Sequence, residues 1–174
     1  MKQGKWFDRS FDFSSKENIF PSIIERLSGT PIRLEEKFKS ISPDILTVRV
    51  ERTWTIKENV GHLTDLEPLW QGRLDDIING KMELRTTDLQ NTKTSLANHD
   101  AVQIKTLLDN FRQIRKQTIN LLEKLDEKEV FKSALHPRLK TPMRTMDLFL
   151  FVAEHDDHHL ARISELVGLI IKKK

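Results

Sequence analysis

Apolar residues recur along most of this chain at the three- to four-residue spacing of an amphipathic helix, beginning near Asn18. Alternating runs of β-branched residues, which would predict strands, are almost absent apart from residues 46–50. A first helical run covers residues 19–27. Ser28 and Gly29 then predict a break, after which Thr30-Pro31 predicts a new helix that continues through Ile41.

The next helix has a clear start and stop in the sequence. Residues 55–58 read Thr-Ile-Lys-Glu, the pattern of a capping box, in which the two polar side chains bond to each other's backbone N–H groups. A second long helix is therefore predicted from this point to about Asn79, with Gly80 as its stop. Residues 81–98 are polar and lack periodicity, so they predict a long crossover loop.

Two more helices follow the polar stretch. Asp100 and Gln103 form another capping pattern, which predicts a third long helix whose apolar stripe covers residues 102–125. Thr145 predicts the cap of a fourth helix that continues to about Ile171. Four long helices and one long connection predict an all-α four-helix bundle with a long crossover loop. The length of 174 residues predicts a single domain over residues 1–174.

Composition narrows the chemistry that this bundle can support. The chain has no cysteine, so imidazole and carboxylate groups are the expected metal ligands. Its 29 basic and 26 acidic residues are mostly interspersed and give a net charge of +3, without a basic helix face, so we expect no nucleic-acid partner. No apolar run resembles a signal peptide or a transmembrane helix, so we expect a cytoplasmic protein without a membrane partner.

Three histidines are the candidate metal ligands. His155 and His159 are one helical turn apart and continue the predicted apolar stripe of the fourth helix, whereas His158 lies about 80 degrees from its centre. His62 borders the inner arc of the second helix. Three protein ligands would leave coordination positions open, which is typical of catalytic rather than structural zinc sites. The stripe also predicts that Asp156 and Asp157 turn towards solvent.

A plainer interpretation competes with each of these assignments. Histidines on partly apolar helix faces are often hydrogen-bonded packing residues. Arg162 lies on the same predicted stripe, and it would bind an acidic substrate group or else pair with a carboxylate such as Glu58. His99 and His136 fall in predicted loops and are interpreted as surface or turn residues. The three tryptophans and two aspartates that could contribute to the site are more simply packing and exposed residues: Trp6, Trp54, Trp70, Asp65 and Asp75.

Several motifs together resemble the DinB-like (DinB/YfiT) superfamily over most of the chain. They are residues 54–63 with Glu67-Pro-Leu-Trp70, residues 111–115, His136-Pro137 and, above all, Ala153-Glu-His-Asp-Asp-His-His-Leu160. The resemblance implies a four-helix bundle that is frequently a homodimer. It also implies a divalent metal held by three histidines, which correspond to His62, His155 and His159 in this sequence.

The resemblance leaves the activity open. It implies a metal-dependent thiol S-transferase that joins a low-molecular-weight thiol to a small electrophile, because a thiol bound at an open metal position loses its proton readily. A metal-dependent hydrolase is the second hypothesis, and a non-catalytic metal-binding protein that acts in stress or in protein interactions is the third. Zinc and nickel are the favoured metals, iron and manganese are alternatives, and no catalytic residue beyond the metal site is predicted.

Overall fold

Four long helices make up most of the fold. A computed structural model describes residues 4–172. Within these residues the helices are α1 (Phe20–Phe38), α2 (Ile56–Ile78), α3 (Thr92–Leu96), α4 (Ile104–Leu122), α5 (Glu127–Phe131) and α6 (Thr145–Ile171). Between α5 and α6, strands β1 (Ser133–Leu135) and β2 (Pro142–Arg144) form a small antiparallel hairpin. The hairpin is too short for its strands to show a recognisable alternation in the sequence.

The long helices close into a ring. α1 and α2 each pack against both α4 and α6, so two helices that are consecutive in the chain lie diagonally across the bundle. This arrangement confirms the predicted all-α four-helix bundle. Among the helices described over residues 4–172, none combines the length and the apolar character that a bilayer crossing requires.

The core has two apolar halves with a polar layer between them. One half contains Leu27 of α1, Trp70 of α2 and Phe149 of α6. The other contains Leu34 of α1 and Ile163 of α6. The buried polar residues of the helices concentrate between these halves, where burial requires each polar group to find a partner or a ligand. Both of the polar clusters described below lie in this layer.

The predicted break in the first helix is wrong, because α1 continues through Pro31. A proline inside a helix has no N–H for the carbonyl four residues earlier, which here belongs to Leu27. That carbonyl instead accepts a hydrogen bond of 3.3 Å from Nη1 of Arg115, a residue of α4. A side chain from a neighbouring helix thus satisfies the group that Pro31 leaves unpaired, and the helix does not need to end.

The predicted start and stop of the second helix are confirmed. The hydroxyl of Thr55 accepts from the backbone N–H of Glu58, whose carboxylate accepts from the N–H of Thr55. The helix ends before Gly80, which has a φ of +70°. This left-handed conformation is easy for glycine because it has no Cβ.

Two other predicted caps are wrong. The carboxylate of Asp100 accepts from the hydroxyl of Thr55 rather than capping α4, which begins at Ile104. Thr145 is the first residue of α6, and its hydroxyl donates to the backbone carbonyl of Glu129. In both cases a partner distant in the sequence takes the side chain that a local pattern assigns to the helix end.

Candidate metal centre

The three predicted ligand histidines converge in the polar layer. His62 comes from α2, and His155 and His159 come from one face of α6. All three are buried, and one ring nitrogen of each lies within 4.8 Å of the others. Nε2 of His155 is 3.2 Å from Nε2 of His159, close to the separation of about 3.3 Å expected of two imidazoles that share a tetrahedral ion.

The hydrogen bonds of His159 fix which of its nitrogens is free. Its Nδ1 lies 2.9 Å from Oδ1 of Asn59, while the Asn59 amide nitrogen donates to the backbone carbonyl of Thr55. Because Oδ1 can only accept, Nδ1 of His159 must carry the proton. Nε2 therefore has the lone pair that a metal ion requires.

His62 reaches the same state through a different partner. Its Nδ1 lies 2.9 Å from Oγ1 of Thr94, and that hydroxyl donates its proton to Oδ2 of Asp65. The Thr94 hydroxyl must therefore accept from His62, which leaves the lone pair of this ring on Nε2. Asp65 acts on the histidine through Thr94, so the crossover loop supplies part of the site.

All three imidazoles are held in the neutral form. Burial lowers the pKa of His62 to about 4 and lowers the pKa values of His155 and His159 well below their usual range. Neutral imidazole is the form that binds metals. In the described chain this ligand group contains no carboxylate, and Nδ1 of His155 is buried without a hydrogen-bond partner. Nitrogen donors of this kind fit a divalent transition-metal ion.

The histidines form part of the wall of a cavity of about 1330 Å³. Trp54 packs on His62 with ring centroids 4.6 Å apart, and Trp6 packs edge-on against His155 at 5.1 Å. Trp70 contacts the same histidine at 5.8 Å. The three tryptophans therefore pack against the histidines and also line the cavity, so each has both a packing role and a place in the site.

Arg162 lines the same cavity, but its ion pair differs from the one expected. Its guanidinium binds Glu165, one turn further along α6. The alternative pairing with Glu58 is wrong, because that carboxylate binds Arg49 and the N-terminus of α2. Arg162 thus lines the cavity with much of its charge already balanced.

The three other histidines that the sequence analysis considered are His158, His99 and His136. His158 lines the cavity and does not belong to the group of three converging histidines. His99 and His136 are not surface residues, since both are buried. His136 does lie in a turn, where the β1–β2 hairpin leaves its first strand. His99 bonds to Asp65 through Nε2 at 2.8 Å, and its ring rests on α2 at Gly61, where a Cβ would come within 2.3 Å of the His99 Cγ.

The solvent-facing assignment of Asp156 is also wrong. Asp156 is buried and binds Arg115, which also binds Glu67. Burial acts to lower the pKa of this arginine, but the two carboxylates outweigh that effect and raise it. Thr118 donates to the second oxygen of Glu67. This cluster of four side chains, which we call the arginine cluster, lies beside the histidines in the same polar layer.

Comparison with known proteins identifies the family. The sequence profile of the DinB superfamily matches residues 26–163, which contain all three candidate ligands. The chain belongs to the DinB superfamily. No curated protein sequence matches this member of the superfamily.

Two solved structures are similar to this DinB protein. The first is YfiT from Bacillus subtilis, described as a probable metal-dependent hydrolase with an unusual four-helix bundle topology. It is 20% identical, with a TM-score of 0.78 over 93% of each chain. The second is the colibactin self-resistance protein ClbS in complex with double-stranded DNA. It is 14% identical, with a TM-score of 0.65 over 87% of this chain and 97% of the other. At these identities the likeness establishes the shared fold.

Sequence reasoning missed the residues that orient the ligands. Asn59 is one turn before His62 on the same arc of α2, and that spacing could have indicated it. Thr94 lies in the connection between α2 and α4. The local sequence pattern does not indicate which residues of this connection contact the histidines. Arg73, which lines the cavity from α2, also had no signal that separated it from an exposed helical arginine.

Proposed function

We propose that this protein is a metal-dependent enzyme in which His62, His155 and His159 hold a divalent ion at the wall of a substrate cavity. The single observation behind this proposal is the convergence of three neutral, buried imidazoles beside a cavity large enough for a small molecule. A divalent ion held by three protein ligands lowers the pKa of a thiol or water bound at an open position. Zinc and nickel suit imidazole ligands best, and iron or manganese is also compatible.

The chain's own residues would prepare this site in two ways. Asn59 and Thr94 hold His159 and His62 in the tautomer that directs Nε2 towards the ion, so the site needs little reorganisation. The tryptophans provide an apolar wall that excludes water from the reacting groups and packs against an apolar part of the substrate.

Thiol S-transfer to a small electrophile is the reaction that we propose. The protein has no cysteine, so the nucleophilic sulfur would come from a low-molecular-weight thiol that enters the cavity. The ligand group contains no carboxylate within the described chain to serve as a general base beside the ion. Ionisation of the thiol at the metal would make such a base unnecessary.

Hydrolysis is the second candidate, because the similarly folded YfiT is described as a probable metal-dependent hydrolase. A non-catalytic metal-binding protein is the third. The homodimer, the cytoplasmic location and the absence of nucleic-acid and membrane partners stay predictions. For substrate we propose a small molecule rather than DNA, because the candidate metal centre is buried among aromatic side chains.

One set of measurements separates these functions. The metal content of the purified protein is determined by mass spectrometry. The loaded protein is then given small thiols with a panel of electrophiles, and in parallel simple esters and amides. Loss of both substrates in equal amounts, with one new thioether, supports the transferase, and hydrolysis without thiol consumption supports the second candidate. His159→Ala should abolish either activity together with metal binding, while His158→Ala is the matched control for metal content. A loaded protein with no turnover in either assay would support the non-catalytic alternative.

A further inference from the structure

Arg73 is a buried cation on α2 that lines the cavity beside Trp70. The guanidinium of Arg73 is 5.5 Å from the Trp70 ring, and the same ring contacts His155. Arg73 is only 1% exposed, which is unusual for an arginine without a carboxylate partner. Burial lowers its pKa to about 10, so it is charged at neutral pH.

The contacts of Arg73 leave its charge without an ion-pair partner among the described residues and one of its nitrogens without a hydrogen-bond acceptor. Nε donates to the backbone carbonyl of Arg85 at 3.1 Å, and Nη1 lies 3.1 Å from Nε2 of His136. Nη2 is buried and has no hydrogen-bond partner. Asp76 acts on Arg73 at longer range, but this carboxylate binds Arg85 directly.

His136 adds to the surplus of donors. Its Nδ1 lies 3.2 and 3.1 Å from the backbone nitrogens of Arg138 and Leu139, and its Nε2 faces Arg73. All three neighbours are donors, but a neutral imidazole has a single lone pair, on one nitrogen only. At least one of these donors therefore lacks an acceptor in addition to Nη2 of Arg73. Such buried donors are costly unless an acceptor completes them.

A second arginine faces the same end of the cavity. Arg138 lines the cavity and lies with its guanidinium 5.2 Å from the Phe7 ring. Among the described residues, neither Arg73 nor Arg138 has a carboxylate within ion-pairing distance. Two of the acidic residues that line the cavity are already bonded elsewhere: Glu165 binds Arg162, and Asp88 accepts from backbone N–H groups. Arg73 is therefore a buried cation in the cavity wall with which no carboxylate of the described residues forms an ion pair.

We propose that Arg73 and Arg138 form an anion-binding subsite that holds a small anionic group of the substrate, such as a carboxylate. Trp70 lies between this subsite and His155, so the substrate would carry its anionic group about one aromatic ring away from its reactive part. The position of the reactive part rests on the proposed function, whereas the anion subsite itself does not. A guanidinium pairs well with carboxylate because its N–H groups match the two oxygens.

Equilibrium binding of two probes of the same shape tests the subsite. Naphthalene-2-carboxylate and the neutral naphthalene-2-carboxamide are titrated into the protein by calorimetry, both as purified and after chelation of metal. We expect the carboxylate to bind at least about tenfold more tightly than the amide, because charged hydrogen bonds replace unpaired donors. The preference should survive chelation. This outcome is independent of turnover, so a failed activity assay does not affect it.

Three variants assign the preference to these residues. Arg138→Gln should reduce it several-fold and Arg73→Gln should abolish it, while Arg112→Gln, which breaks an exposed ion pair with Glu35, should leave it unchanged. If Arg73→Gln does not fold, the half-buried Arg138 decides the question. Equal binding of the two probes, no binding of the carboxylate, or a preference that Arg138→Gln leaves intact would overturn the proposal. So would a preference that disappears on chelation, because the metal would then be the anion's partner.

Discussion

The polar layer of the bundle contains two clusters that differ in how completely their polar groups are hydrogen-bonded or ion-paired within the fold. In the arginine cluster, Arg115 is bonded to Glu67, to Asp156 and to the carbonyl of Leu27, so each charged side chain has a partner of opposite charge. The histidine cluster is neutral, and Nε2 of His155 and Nε2 of His159 face each other beside a cavity. Both clusters are buried, so burial alone does not distinguish a structural site from a functional one.

The difference shows which buried polar groups await a ligand. A closed network of charges stabilises the relative positions of the helices and has no capacity left for another molecule. His62 and His159, which have partners on Nδ1 and lone pairs on Nε2, have that capacity. The unpartnered Nδ1 of His155 and Nη2 of Arg73 leave these two side chains unsatisfied as well. Unsatisfied atoms, rather than buried charge, identify the candidate sites of this molecule.

The largest effect is expected from breaking the closed cluster. Arg115→Met should lower the free energy of unfolding by about 3–5 kcal/mol, because Glu67 and Asp156 would stay buried without a counter-ion. Urea denaturation measures this loss. The control is Arg112→Met on the same helix, whose exposed pair with Glu35 should contribute less than about 1 kcal/mol. Equal losses in the two variants would erase the contrast between the clusters.

Substitutions in the histidine cluster should change the affinity of the protein for metal. His62→Ala, His155→Ala and His159→Ala should each weaken metal binding by more than about 100-fold, beyond the loss typical of residues that only orient ligands. His158→Ala should have little effect, since it lies outside the ligand group. Competition with a chromogenic chelator measures each affinity. Comparable losses in His158→Ala and His155→Ala would mean that the ligand set is different.

Residues that orient the ligands should have an intermediate effect. Thr94→Val keeps the shape of the side chain but removes the hydroxyl that accepts from His62, so metal affinity should fall by about 10–100-fold. Ser95→Ala, at the neighbouring exposed position, is the control. The same competition assay applies, and an unchanged affinity in Thr94→Val would show that His62 does not depend on this hydroxyl.

Acid should weaken the fold partly through His136. Burial lowers the pKa of His136 to about 4, with Arg73 and Arg138 acting in the same direction. Between this value and the unfolded value of about 6.5, the unfolded chain binds a proton that the folded chain does not, so stability falls as pH falls. One such group contributes at most about 1.4 kcal/mol per pH unit. Unfolding curves in chelator at several pH values should be less steep in pH for His136→Asn than for the original chain, and parallel curves would contradict this.

The smallest effect is expected at Arg162. Because Glu165 already balances its charge, Arg162→Gln should leave metal content intact and raise the KM for an acidic substrate by roughly fivefold at most, with little change for a neutral analogue. Steady-state kinetics with both substrates measures this. An effect as large as that of Arg73→Gln would move the anion contact to the opposite side of the histidines.

The sequence predicted the parts of this molecule that depend on helical periodicity. α2 with its capping box, the inward face of α6 and the shared face of His155 and His159 follow from residues within a few turns of one another. The assignment of His62 as the third candidate ligand also needed the family resemblance, because it lies on a different helix. The errors have a common cause in partners distant along the chain. Pro31 continues α1 because Arg115 reaches the carbonyl of Leu27, and Asp156 turns inward to the same arginine. No local pattern contains those contacts.

The His99 ring packs against Gly61 of α2, and this contact restricts where the crossover loop can change in length. Asp65 accepts from both Thr94 and His99, so the second half of the connection after α2 is attached to that helix at two points separated by only five residues. An insertion within residues 88–90 would lengthen a solvent-exposed segment, which proteins usually tolerate. An insertion between the two attachment points would force one of them off the helix and release His62 from its partner. Changes in loop length should therefore accumulate on one side of Thr94 and be rejected on the other.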